Sequence, residues 1–199
     1  MDAIPLPETS TFKKDQFENI ADILADDGII LYPTDTIWGL GCDATNPVAI
    51  ERVYNLKQRD RSTPFILLVD GIELLKQYVV EVHPRLETLM TYHTRPLTVI
   101  YDQAKNLPKN AIGSDGSVAV RIAHDPFCQQ LIRTIGKPLV ANSANISNEQ
   151  FAAIFGEISS AIIQGVDYVA RHRRSDKKRK EPSVIVKYDE KGELIFIRD

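Results

Sequence analysis

LYPTDTIWGLGCD, residues 31–43, follows directly on Gly28-Ile29-Ile30 and closes that apolar run as a strand. Pro33 cannot donate to a sheet ladder, so the strand stops at Tyr32. Thr34, Asp35 and Thr36 then offer two hydroxyls and a carboxylate, while Gly39 and Gly41 let the backbone turn tightly or approach a ligand. Polar groups at the carboxyl end of a buried strand, backed by glycines, are where open α/β sheets hold small molecules. A plain Pro/Gly turn uses the same residue types, so the stretch alone fits either reading.

Outward from it, helix and strand patterns alternate, which predicts an α/β layer architecture. Phe17, Ile20, Ala21 and Leu24 share one helical face ahead of Gly28. Asn46-Pro47 starts a second helix, with Asn as cap and Pro in the first turn; Ile50, Val53 and Tyr54 are its buried stripe and Lys57 ends it. Phe65–Val69 (FILLV) is continuously apolar and reads as a central strand. Leu97–Tyr101, Val118–Ile122 and Leu139–Ala141 are further strands, and Asp125-Pro126 and Gly136 bound another helix. A helix is expected over about Ala152–Ile163, and Val184–Tyr188 with Leu194–Ile197 form a hairpin around Asp189-Glu190-Lys191-Gly192.

With 199 residues and 43% hydrophobic content, one domain with a substantial core is expected. No apolar stretch approaches the roughly 20 residues of a membrane helix. The first residues lack the apolar core of a signal peptide, so a cytoplasmic location is expected. Cys42 and Cys128 make neither a disulfide framework nor a zinc spacing and read as buried thiols; the four scattered histidines predict no structural metal. The net charge of −3 is uneven: Arg171–Lys180 (RHRRSDKKRK) carries +6 and the remainder −9. Such a cluster is either a solvated loop or an attractor of phosphate-bearing partners.

Four segments in this order carry a family likeness: the opening stretch, Lys57-Gln58-Arg59, Ser117-Val118-Ala119-Val120-Arg121, and Pro138 to Asn145 (PLVANSAN). Together they resemble the YrdC-like family, over about Ile20 to Arg198. The resemblance implies a twisted mixed β-sheet flanked by helices around a large concave site, with residues 1–199 as one domain in the short form of the family. It also implies synthesis of threonylcarbamoyl-adenylate from L-threonine, bicarbonate and ATP with Mg²⁺, releasing pyrophosphate. The product would pass to threonylcarbamoyl transferase machinery that modifies adenosine in tRNA.

Forming an acyl-adenylate brings a carbamate oxygen onto the α-phosphorus while pyrophosphate departs. Fixed cations and oriented donors serve that step better than a nucleophile. The chain accordingly has no Ser-His-Asp or Cys-His constellation and no Walker-type loop. Lys57 and Arg59 are the catalytic candidates, a compact charge and a planar fork for phosphate, although cations at a helix end also serve its dipole. By the resemblance, ATP is held by Lys57, Arg59, Thr63, Ser117, Ser143, Asn145 and Arg198. Threonine is held by Arg121, whose fork suits a carboxylate, with Thr34, Thr36, Ala141 and Ser183. Read without the family, Ser143 and Asn145 fit local caps and Arg121 fits a strand-end ion pair.

The sequence departs from the family pattern at Thr63, Leu68, Asn142, Phe151 and His93-Thr94-Arg95. Two other readings therefore stand beside the synthase. One is a non-catalytic module that binds double-stranded RNA or tRNA on the same fold. The other is a paralogue acting on a different carboxylated or adenylated substrate.

Overall fold

The structure, a computed structural model, describes residues 15–93, 95–188 and 193–198. The expected turn at Asp189–Gly192 and the departure at Thr94 lie outside the described residues. Helix α1 (Phe17–Ala25) leads into strands β1 (Ile30–Tyr32) and β2 (Gly39–Gly41), and α2 (Pro47–Lys57) into β3 (Ile66–Val69). Two further helices, α3 (Ile72–Leu75) and α4 (Pro84–Tyr92), precede β4 (Leu97–Tyr101) and β5 (Val118–Ile122). Then come α5 (Pro126–Ile135), β6 (Leu139–Ser143), α6 (Ser160–Gln164) and β7 (Tyr168–Val169). Strands β8 (Val184–Tyr188) and β9 (Leu194–Arg198) complete the order.

The strands form one mixed nine-stranded sheet in the order β7-β1-β2-β6-β3-β5-β4-β8-β9. FILLV therefore supplies the middle strand, as its unbroken apolar run predicts. Leu67, Leu68 and Val69 are fully buried, each stabilising the fold by about 1.5–3 kcal/mol. Local chemistry sets the helix ends. The Asn46 side chain accepts from the Val48 and Ala49 N–H groups, and Asp125 does the same for Phe127 and Cys128. Gly136, at φ +65°, ends α5 in the left-handed conformation that glycine adopts at least cost.

Register divides the sheet into two unlike faces. Leu67, Val69, Val99, Val118, Val120 and Val140 point to one side and are buried, with α3 and α5 packed over β3. Cross-strand partners share a face, so the pairs Ile66–Ala141, Ile66–Ala119, Leu68–Arg121 and Thr98–Arg121 lie on the other. On that side a buried arginine and two alanines stand where a closed core would place bulky aliphatic groups. Among the described residues no helix is long and apolar enough to cross a membrane, and Cys42 and Cys128 are buried free thiols.

Two expectations need correction. Gly39 and Gly41 lie in a strand, β2, rather than in a turn, and of the two only Gly39 lines a cavity. A Cβ on Gly41 would sit 1.7 Å from the Val140 carbonyl oxygen, so glycine is needed for the close approach of β2 to β6. The helix expected over Ala152–Ile163 is a single 3-10 turn, Phe155–Glu157, followed by the short α6. Ser159 starts that helix afresh by accepting from the Ile162 N–H, and the apolar spacing before it serves loop packing instead. Strands β2 and β7 and helices α3 and α4 carry no pattern that announced them.

Candidate functional site

A cavity of about 150 Å³ opens on the less covered face of the sheet. Thr34, Thr36, Arg121, Ala141, Ser143, Ser183 and Arg198, all expected from the sequence to contact substrates, line it. Lys57, Arg59, Thr63, Ser117 and Asn145 do not.

The turn after β1 builds one wall. Thr34 donates its hydroxyl proton to the Ile37 carbonyl at 2.7 Å and accepts the Thr36 N–H at 3.0 Å. Its hydroxyl lies 2.9 Å from that of Thr36. With the Thr34 proton committed to Ile37, Thr36 is the donor of that pair, which leaves the Thr36 oxygen free to accept from Arg121 Nη1 at 2.9 Å.

Arg121 rises from β5 with its side chain only 5% exposed. Asp35 stands 3.3 Å from its Nη2, and Nε is buried with no acceptor. Arg121 lines the cavity, and its positive charge favours an oxygen acceptor there. Arg198 adds a second cation to the lining. It is fixed by the Ser183 carbonyl, which accepts from its Nε at 3.0 Å and Nη2 at 2.8 Å. Ser183 is itself set by the Thr98 hydroxyl at 2.7 Å. Burial, and then repulsion from Arg121, hold the Arg198 pKa below the usual guanidinium range. Two guanidiniums lining one cavity make a place for an anion.

Lys57 is placed otherwise than its motif implies. Only 1% exposed, it donates from Nζ to the Ser143 and Asn145 carbonyls at 2.5 Å each, and its own carbonyl accepts the Ser147 N–H at 2.8 Å. The end of α2 is thereby stapled to the loop after β6. Burial, with Arg59 nearby, lowers the Lys57 pKa to about 7. Arg59 folds over the following loop, donating to the Thr63 carbonyl at 3.0 Å and the Pro64 carbonyl at 3.2 Å, with its guanidinium over the Phe65 ring. Asn145 donates to the Ile146 and Glu149 carbonyls and so braces the same loop as Lys57. Ser117 directly precedes β5, at the far end of that strand from Arg121.

The basic run Arg171–Lys180 forms no helix, in line with its lack of an apolar stripe, and it is tied down rather than loose. Arg173 pairs with Asp125 at 2.7 Å and donates to the Thr34 carbonyl at 3.0 Å; Lys180 reaches the same carbonyl at 3.3 Å, and Arg179 pairs with Glu157. Lys177 and Lys178 are exposed. The sequence marks Asp35 as a polar group at the strand exit without assigning it a role, and it does not single out Trp38 or Pro182, which line the cavity. Asp35 had a visible signal, a carboxylate between two threonines at a strand exit; Trp38 and Pro182 had none.

A mixed α/β sheet with a small cavity lined by arginines and hydroxyls defines an α/β domain with a pocket suited to a small anionic ligand. The chain belongs to the Sua5/YciO/YrdC family, whose model, described as "Telomere recombination", matches residues 22–199. A threonylcarbamoyl-AMP synthase of Pseudoalteromonas translucida is 34% identical over 149 residues, covering 73% of this chain and 79% of that one. The Vibrio parahaemolyticus protein of the same name is 33% identical over 161 residues, covering 76% and 87%. In fold, the chain matches P. abyssi Sua5 complexed with L-threonine at a TM-score of 0.81 and 21% identity, over 92% of this chain and 53% of that one. It thus spans about half the length of that archaeal protein. E. coli YciO matches at 0.79 and 21% identity, over 92% and 88%.

Proposed function

We propose that this chain joins L-threonine, bicarbonate and ATP into threonylcarbamoyl-AMP and pyrophosphate, acting as a nucleotidyltransferase. The observation that carries the reading is Arg121, a buried guanidinium that lines the cavity and is held by Thr36 and Asp35. The names of the bacterial relatives support it. Size supports it too, since about 150 Å³ falls below the roughly 300–1,000 Å³ of drug-sized ligand sites and suits an amino acid.

Arg121 would take the threonine carboxylate, with the Thr34–Thr36 turn, Ala141 and Ser183 around the side chain. The threonine amine adds to the bicarbonate carbon with loss of water. A carbamate oxygen then attacks the α-phosphorus and the bond to the β-phosphate breaks. Ser143 and Arg198 at the cavity, and Arg59 beyond the Lys57 staple, would hold phosphate oxygens as charge builds on them. Lys57 serves this arrangement by fixing the Ser143 carbonyl and the loop after it.

Mg²⁺ would arrive on the ATP phosphates and withdraw charge from them. The product would pass to separate machinery acting on tRNA, and the exposed Lys177 and Lys178 offer tRNA phosphates a contact.

The test is pyrophosphate release from ATP with each of threonine, bicarbonate and Mg²⁺ omitted in turn. Release that needs all three is expected; ATP turnover indifferent to threonine would overturn the reading in favour of another substrate.

A further inference from the structure

Asp35 sits between two residues that line the cavity yet does not line it. Its carboxylate turns instead toward β5. Oδ1 lies 3.3 Å from Arg121 Nη2, and Oδ2 accepts the His124 N–H at 3.4 Å. The Asp35 side chain is 10% exposed, and Oδ1 makes no hydrogen bond. Thr36, the next residue, takes Arg121 Nη1. One short turn therefore occupies both terminal nitrogens of an arginine 85 residues or more away in sequence, and it leaves Nε unfilled.

A buried guanidinium without a counter-charge costs several kcal/mol, and a long side chain held at one nitrogen alone keeps its rotamer freedom. Asp35 answers both demands, since no other carboxylate is ion-paired with Arg121 among the described residues. We infer that Asp35 is a positioning residue: it neutralises Arg121 in the empty site and, with Thr36, fixes where the guanidinium stands at the cavity that receives a carboxylate ligand. This deepens the proposed function and rests on its assignment of threonine to Arg121.

The experiment compares wild type, Asp35→Asn, Asp35→Glu, Arg121→Met and the double variant Asp35→Asn/Arg121→Met. L-threonine binding is measured by calorimetry without ATP, and unfolding by urea. Asp35→Asn should weaken threonine binding about tenfold or more while ATP KM stays within about twofold. Asp35→Glu should recover part of the loss, because the charge returns at a longer reach. In unfolding, the two single changes should be coupled by at least about tenfold in the equilibrium constant. Unchanged threonine affinity in Asp35→Asn would overturn the inference even if that variant is less stable. If the wild type binds no threonine, the proposed function falls. Coupling of Asp35 to Arg121 then decides the inference alone, and additive single effects overturn it.

Discussion

Replacing Lys57 by methionine tests whether this lysine is a staple or a phosphate contact. The variant leaves the Ser143 and Asn145 carbonyls buried without their donor, a loss of about 1–3 kcal/mol each. It also removes a buried ammonium whose pKa is pulled from 10.5 to about 7, which at neutral pH relieves about 4–5 kcal/mol. The two nearly cancel, so unfolding by urea at pH 7 should move by no more than about 2 kcal/mol. Function should suffer more than stability, because the loop after β6 forms part of the cavity wall. Threonine binding measured without ATP should weaken at least about tenfold, and ATP KM should rise as well.

The pH dependence gives a second reading of the same change. A lysine with a lowered folded pKa binds fewer protons folded than unfolded between the two values. Wild-type stability relative to the variant should therefore rise with pH from about 7 to 10.5, by up to about 1.4 kcal/mol per pH unit. A defect confined to ATP, with threonine binding untouched and no such pH difference, would refute the staple and restore the phosphate contact.

Gly41→Ala should prevent stable folding, since the new methyl would overlap the Val140 carbonyl at 1.7 Å; a soluble variant with wild-type melting would show that β2 and β6 do not approach so closely. Serine should be used about five- to tenfold less efficiently than threonine for want of one methyl contact, and equal kcat/KM would remove Ala141 and Thr36 from the pocket. Arg59→Ala should chiefly raise ATP KM and Arg121→Ala chiefly threonine KM, each by about ten- to hundredfold, as read from steady-state pyrophosphate release. Replacing Lys177 and Lys178 by serine should weaken RNA binding and flatten its salt dependence without changing the melting temperature; unchanged affinity at low salt would leave the run as a solvated surface.

What could be read from the chain was decided by how locally each feature is determined. Asn46-Pro47, Asp125-Pro126 and Gly136 satisfy their own neighbours' backbone groups, so the ends of α2 and α5 stood in the sequence. FILLV announced its central place because both faces of a middle strand are buried. Gly39 and Gly41 looked like turn residues because the atom that excludes a side chain at Gly41 belongs to Val140, far along the chain. Lys57 could be matched to a motif, but its direction is set by two carbonyls that β6 delivers. Arg121, Thr36, Ser183 and Arg198 did converge, whereas the role of Asp35 was not legible because its partner Arg121 lies on another strand.

The cavity has no local part that could exist by itself. Its lining comes from the turn after β1, from β2, β3, β5 and β6, and from residues at one end of the β8–β9 pair. Contacts so distant in sequence form only when most of the sheet has closed, so no partly folded chain holds a binding-competent remnant. Ligand and fold are then linked by mass action, and a ligand at one hundred times its Kd should stabilise the folded domain by about 2.7 kcal/mol. Because β9 pairs with β8 alone and carries Arg198, fraying at that edge would remove a wall of the site before it disturbed the core. Occupancy of the cavity thus acts as a clasp on the last strand of the sheet.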